Sequence, residues 1–141
     1  MNYYKDGFKR NFNLQVKLIN KKIIAVKCTM LDLDHCISVT LKINKNTREI
    51  IDASAKMLKI PHDLICQKAL DNIKSIIGIK IERGGGLSKK FHELLGGACG
   101  CIYINKSAWL AADMASNFIG RFESEEKQLE FLKNACVAYK E

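Results

Sequence analysis

Residues 11–57 read NFNLQVKLINKKIIAVKCTMLDLDHCISVTLKINKNTREIIDASAKM, and this stretch decides the fold. Apolar and polar side chains alternate through most of it, which is the period-two pattern of strands with one buried face. Polar residues interrupt the alternation at 20–22, 32–35 and 44–47. Because short turns between alternating strands favour antiparallel pairing, the stretch predicts a meander of about four strands.

At Pro61 the period changes from two to three and four. Apolar residues at Cys66, Ala69, Leu70, Ile73 and Ile77 form one stripe of an amphipathic helix, predicted over 62–77. The same spacing predicts a short helix containing 87–95, a longer one over 101–122 and a last one over 125–139.

Strands followed by helices indicate an α+β fold in which the helices cover one face of the sheet. The predicted domain spans 1–141, with a strand-rich part at 11–57 and a helical part at 61–139. The alternation assigns four lysines to the opposite, solvent-facing side of the sheet, namely Lys17, Lys27, Lys42 and Lys56.

Length and composition bound the class of protein. A chain of 141 residues, 48% of them hydrophobic, is long enough to build one core without disulfides or metals. No apolar run approaches the roughly 20 residues of a membrane-spanning helix. The first residues lack the apolar segment of a signal peptide, so we expect a cytoplasmic protein with no membrane partner.

Six cysteines occur, at positions 28, 36, 66, 99, 101 and 136. In the cytosol they are expected to be reduced thiols that form no disulfide. No Cys-x-x-Cys pair is present, which disfavours a closed structural zinc site. Cys28 and Cys136 are predicted to pack in the core.

The strongest local motif is Gly96-Gly97-Ala98-Cys99-Gly100-Cys101, which opens the long helix. Glycines such as Gly97 and Gly100 let the backbone approach a ligand or take a positive φ. A helix N-terminus can lower the pKa of a thiol, which makes Cys101 and Cys99 candidates for reactivity or soft-metal binding. The alternative is a glycine turn whose cysteines fill small apolar holes.

Three further candidates come from other segments. Asp32 and His35 lie in the connection between the second and third strands and offer a carboxylate and an imidazole. Cys66 lies on the apolar stripe of its helix, where core packing is the alternative, but it also follows the last strand closely. If both helices cover the same face of the sheet, the sulfurs of Cys66 and Cys101 should lie close together at one end.

Three motifs together resemble those of an uncharacterised bacterial family of unknown function. They are Pro61…Cys66, Ile77-Gly78 and Gly96-Gly97…Gly100-Cys101-Ile102-Tyr103-Ile104. Members of that family carry a Pro followed closely by Cys, then Leu-x-Gly, then Gly-Gly…Gly-Cys-Thr-His-Leu opening a helix. Here Tyr103 stands where the family has His, and a phenol with a pKa near ~10 cannot replace an imidazole ligand or base at neutral pH.

A more distant likeness is to the iron–sulfur scaffold and sulfur-acceptor fold, which also places an antiparallel sheet before helices. The motifs of those scaffolds are absent here, so this likeness implies an architecture rather than an activity.

The leading hypothesis is a Cys-centred binding domain, with Cys66 and Cys101 as thiolates and Asp32 or His35 as a further ligand or proton acceptor. It would handle zinc, an iron–sulfur species or persulfide sulfur. The sequence shows no Ser-His-Asp order, phosphate loop or dinucleotide fingerprint, and leaves enzyme activity open.

Two alternatives remain. One is an adaptor with core cysteines that binds a protein partner or a second copy of itself. The other is a nucleic-acid-binding module on the basic sheet face, since residues 1–60 hold 12 Lys or Arg against 5 Asp or Glu. The outward positions include no aromatic residue, which argues against a binder that stacks bases.

Overall fold

In the computed structural model, the alternating stretch forms the strands β1 (Asn11–Leu18), β2 (Ile23–Leu31), β3 (Cys36–Asn44) and β4 (Ile50–Lys59). The structure describes residues 7–60, 66–82 and 86–141, without the side chains of residues 99 and 131. Each strand pairs antiparallel with the next, so the sheet order is β1-β2-β3-β4. The predicted meander is confirmed.

Helices follow the sheet, as predicted for an α+β fold. They are α1 (Leu87–Leu95), α2 (Ile102–Gly120) and α3 (Glu125–Leu132). Helix α2 crosses β1, β2 and β3, and α1 packs on α2. A 3₁₀ helix at Asp71–Ile76 packs on β4 and on α1, so together these elements cover one face of the sheet.

The core lies between the sheet and α2. The strands contribute every second side chain, and all of the following are buried: Ile24, Val26, Cys28, Met30, Ile37, Val39, Leu41 and Ile43. Helix α2 faces them largely with alanines, namely Ala108, Ala111, Ala112 and Ala115. These short side chains let the helix backbone lie close to the sheet.

The amphipathic α-helix predicted over 62–77 is wrong for most of residues 66–77, the part of this range that the structure describes. Helical residues at 66–67 are followed by a turn, and then by the 3₁₀ helix. The buried residues Ile73 and Ile76, with the half-buried Leu70, recur every three residues. This spacing suits a 3₁₀ helix, in which residues i and i+3 eclipse each other. The part of the prediction at 62–65 lies outside the described residues.

The C-terminal helix is shorter than predicted. Helix α3 ends at Leu132, and Asn134 takes a positive φ of 56°, a conformation that interrupts helical backbone. A short 3₁₀ turn at Val137–Tyr139 replaces the rest of the predicted helix. Cys136 is therefore exposed rather than in the core, whereas Cys28 is buried as predicted.

The opposite face of the sheet remains uncovered by the described helices. The four lysines assigned to it, at positions 17, 27, 42 and 56, are all exposed, as the alternation predicted. No helix among the described residues combines the length and the apolar character needed to cross a membrane.

Candidate functional site

Asp32 organises the turn between β2 and β3. Its Oδ1 atom accepts hydrogen bonds from the backbone N–H groups of Asp34, at 2.8 Å, and His35, at 2.7 Å. The backbone N–H of Asp32 donates to the carbonyl of His35 at 3.0 Å, which closes the turn. Aspartate favours such turns because its short carboxylate reaches backbone donors two and three residues ahead. The turn therefore fixes His35 relative to Asp32.

The same carboxylate also holds two side chains. Nδ1 of His35 lies 3.0 Å from Oδ1 of Asp32, and Nε of Arg10 donates to Oδ2 at 2.8 Å. The side chain of Asp32 is wholly buried, whereas those of Arg10 and His35 keep 31% and 15% of their exposure. A buried carboxylate thus anchors two polar groups that reach solvent.

The pKa of Asp32 reflects this arrangement. Burial by itself raises the pKa of a carboxyl group, because it penalises the charged form. Here the hydrogen bonds from Arg10, the Asp34 backbone and His35 outweigh burial and lower the pKa of Asp32 to about 2. Asp32 is therefore an anion at neutral pH. Since an ionised carboxylate only accepts hydrogen bonds, Nδ1 of His35 must carry the proton, which leaves the lone pair of the neutral ring on Nε2.

Tyr103, in the first turn of α2, packs against both partners of Asp32. Its ring lies 4.6 Å from the His35 ring between centroids, and its hydroxyl accepts from Nη2 of Arg10 at 3.0 Å. The guanidinium carbon of Arg10 lies 4.5 Å from the centre of the same ring. Tyr103 thus connects the start of α2 to the β2–β3 turn. We call Arg10, Asp32, His35 and Tyr103 the Asp32 cluster.

Cys101 lies beside this cluster in the chain, two residues before Tyr103. It is the N-cap residue of α2, in extended conformation, and it is half-buried against the core. Its N–H donates to the carbonyl of Leu95 at 2.9 Å, and its carbonyl accepts from Asn105. These bonds fix the backbone of Cys101 between the end of α1 and the first turn of α2.

The glycine motif shapes the connection from α1 to α2. Gly97 has a φ of +69°, in the left-handed region that glycine was predicted to supply. A Cβ on Gly100 would collide with the carbonyl of Leu95, so this position needs glycine for a close approach of the chain to itself. The geometry gives Gly100 a structural role, and the predicted approach of a ligand to either glycine stays a prediction.

Cys66 is half-buried in the segment that follows β4. The chain leaves the sheet after Lys59, which pairs with Cys36 next to the β2–β3 turn. It returns to the opposite end of β4, where the N–H of Gly78 donates to the carbonyl of Ile50. Cys66 lies on this return path. The predicted proximity of its sulfur to that of Cys101 stays a prediction, and the side chain of Cys99 lies outside the described part of the structure.

The predicted site residues are thus only partly brought together. Asp32 and His35 are in direct contact and Cys101 begins the helix that packs on them, while the place of Cys66 relative to this group stays a prediction. Within residues 7–60, 66–82 and 86–141, no three His, Cys, Asp or Glu side chains converge in a way that could hold a metal ion. Burial raises the pKa of the Cys28 thiol, consistent with a neutral core residue.

Arg10 is the member of the cluster that sequence reasoning missed. Asn11 pairs with Leu31 across the antiparallel β1–β2 ladder, so the residue before Asn11 lies opposite the residue after Leu31. This register places Arg10 across from Asp32. The alternation predicts the two strands, but placing Arg10 opposite Asp32 also requires the register in which those strands pair.

A model of one protein family matches residues 10–117, which span the four strands, the Asp32 cluster and most of α2. That family is described as a protein of unknown function, DUF2889. The chain belongs to this family. The match confirms the expected membership in a family of unknown function, and all of the candidate site residues lie within it.

No curated protein and no solved structure matches this DUF2889 chain. The likeness to the iron–sulfur scaffold fold is therefore not confirmed. The short motifs attributed to the family, including the His at the position of Tyr103, likewise remain a resemblance.

Proposed function

We propose that this DUF2889 domain binds a thiophilic transition metal ion, zinc or iron, with His35 and Cys101 as its first two ligands. The observation that supports this most is the hydrogen bond between Asp32 and Nδ1 of His35. Metal-ligating histidines usually donate their second ring N–H to a carboxylate or a carbonyl, which fixes the tautomer and strengthens the ligand. Nε2 of His35 is the ring nitrogen that would bind the ion.

Asp32 has the role of an orienting residue in this proposal. Its Oδ1 accepts three hydrogen bonds and its Oδ2 accepts one from Arg10. A carboxylate with both oxygens committed and no exposed surface is poorly placed to bind an ion directly. The sequence predicts that either Asp32 or His35 supplies a ligand, and of these two we therefore propose His35.

Cys101 supplies the soft ligand. It is the N-cap residue of α2, and its sulfur is a soft donor of the kind that zinc and iron bind. Thiolate and imidazole together select zinc and iron over magnesium or calcium. Zinc normally takes four ligands, and since no three such side chains converge among the described residues, the remaining positions would need Cys99, whose side chain lies outside the described part, or a movement that brings Cys66 to the ion.

Persulfide handling would use the same thiols but has no need of an imidazole held by a carboxylate. This favours metal binding over sulfur transfer. An adaptor whose cysteines only fill space would need neither Nε2 of His35 nor a polar cluster at the start of α2.

The first experiment is metal analysis and an absorption spectrum of protein purified without oxygen, together with the variants Cys101→Ser and Cys136→Ser. We expect bound zinc or iron in the wild type and in Cys136→Ser, whose thiol is exposed near the C-terminus, and a loss of metal in Cys101→Ser. A metal-free, colourless protein that also fails to bind added zinc would overturn the proposal in favour of the adaptor.

A further inference from the structure

The uncovered face of the sheet has a regular arrangement of side chains. The antiparallel register aligns Lys17, Ala25, Lys42 and Asp52 in one row across the four strands. The adjacent row is Gln15, Lys27, Thr40 and Ser54, and the next is Asn13, Thr29, Ser38 and Lys56. The face therefore combines four lysines and one aspartate with small or amide side chains.

Most of the positive charge on this face has no nearby carboxylate in these rows, since only Lys42 lies opposite one, Asp52, which also attracts it electrostatically. The one carboxylate in these rows, Asp52, is paired with Lys74 at 3.2 Å, and the pKa of Asp52 is lowered by that bond. Within the described residues, none of the lysines at positions 17, 27, 42 and 56 forms a salt bridge. The four charges extend across all four strands, a width of about 14 Å at ~4.8 Å per strand spacing.

A shallow depression lies in the middle of this surface. Its volume is about 660 Å³, and its lining includes Gln15, Lys17, Ala25, Lys27 and Thr40. Two ammonium groups, an amide and a hydroxyl thus line the depression together with Val16 and the small residue Ala25. These are donors that commonly contact phosphate oxygens.

We propose that this face, the lysine face, binds single-stranded nucleic acid through its phosphates. The charge complementarity calls for an extended polyanion, because the lysines are spread over the sheet rather than gathered around one pocket. The face carries no aromatic side chain in the three rows, so it contacts the backbone and does not stack bases. The three rows lie on a four-stranded sheet, which is wider than the α-helix or two-stranded ribbon that a duplex major groove admits. Binding is therefore independent of sequence and depends strongly on salt.

The test is fluorescence anisotropy of labelled oligouridine and oligothymidine at increasing salt. Four phosphate contacts predict a slope of log K against log salt of about −2.8, which is about a 50-fold loss of affinity between about 50 and about 200 mM salt. The double variant Lys17→Gln/Lys27→Gln should have a slope of about −1.4, and lose about sevenfold over the same range.

A matched control removes the same charge elsewhere. Lys89 and Lys90 are exposed on α1, on the helical side, so Lys89→Gln/Lys90→Gln should retain the wild-type slope. Equal effects of the two double variants would assign binding to net charge and overturn the lysine face. Absence of binding at about 50 mM salt, where such contacts are strong, would also overturn it. Binding to phosphatidylserine vesicles but not to either oligonucleotide would assign the face to a membrane surface instead.

Discussion

The Oδ1 atom of Asp32 lies 3.0 Å from Nδ1 of His35 while also accepting two backbone N–H bonds of the same turn. One buried oxygen therefore both builds the β2–β3 turn and sets the tautomer of the imidazole. Local backbone structure and the proposed chemistry of the site depend on the same carboxylate.

The pH dependence of stability tests that carboxylate. The pKa of Asp32 is lowered from 3.8 to about 2 on folding, so its ionised form stabilises the native state above the unfolded pKa. Its contribution of roughly 2 kcal/mol is complete above about pH 5, and about half is lost by pH 3. Urea unfolding of the wild type and Asp32→Asn at pH 6 and pH 3 should give a difference in the free energy of unfolding that shrinks toward low pH. A difference that is the same at both pH values would contradict this assignment.

Gly100 is predicted to be indispensable to the α1–α2 connection. Its missing side chain lets the chain pass next to the carbonyl of Leu95, so Gly100→Ala must shift backbone and should cost at least about 2 kcal/mol. Gly120→Ala is the control, because its Cβ would meet nothing within 4 Å at the end of α2. The control should be neutral or stabilising by up to about 1 kcal/mol, since alanine is the better helix former. Thermal unfolding of both variants decides this, and equal stabilities would show that the connection tolerates a side chain at Gly100.

Tyr103 offers a test based on gain of function. Its ring centroid lies 4.6 Å from that of His35, so Tyr103→His would place a second imidazole beside the first. The family resemblance implies a histidine at this position, and we expect this variant to bind zinc at least about tenfold more tightly. Chelator competition measures the affinity.

Tyr103→Phe is the matched control for that variant. It removes only the hydroxyl that accepts from Arg10, so we expect unchanged zinc affinity and a loss of about 0.5–1 kcal/mol in stability. If Tyr103→His binds zinc no better than Tyr103→Phe, the cluster is not next to the ion.

The meander was predictable because the alternation is regular in β1, β2 and β3 and each of these strands ends at a polar turn. In β4 the register shifts relative to β3, so Ile50 is buried and Ile51 is exposed. The 3₁₀ segment was not predictable, because apolar spacings of three and four are compatible with both kinds of helix until tertiary packing selects one. The early end of α3 depends on the positive φ of Asn134, which asparagine tolerates without requiring.

For the site, sequence reasoning identified Asp32 and His35 as neighbours with polar functional groups. It did not find their connection to Arg10 and Tyr103, which are 22 and 71 positions away from Asp32 in the chain. The contact with Arg10 follows from strand register, and the contact with Tyr103 follows from where α2 crosses the sheet. Neither is encoded in a local motif.

The central claim is that Asp32 presents Nε2 of His35 to a metal ion, and zinc affinity of three variants tests it most directly. His35→Asn keeps a side-chain donor toward Asp32 but removes Nε2, and His92→Asn removes an exposed histidine on α1 as the control. By chelator competition at pH 7, we predict that Asp32→Asn weakens zinc binding about 10- to 100-fold. His35→Asn should weaken it at least as much, while His92→Asn should bind like the wild type. Wild-type affinity in His35→Asn, or an equal loss in His92→Asn, would contradict the claim.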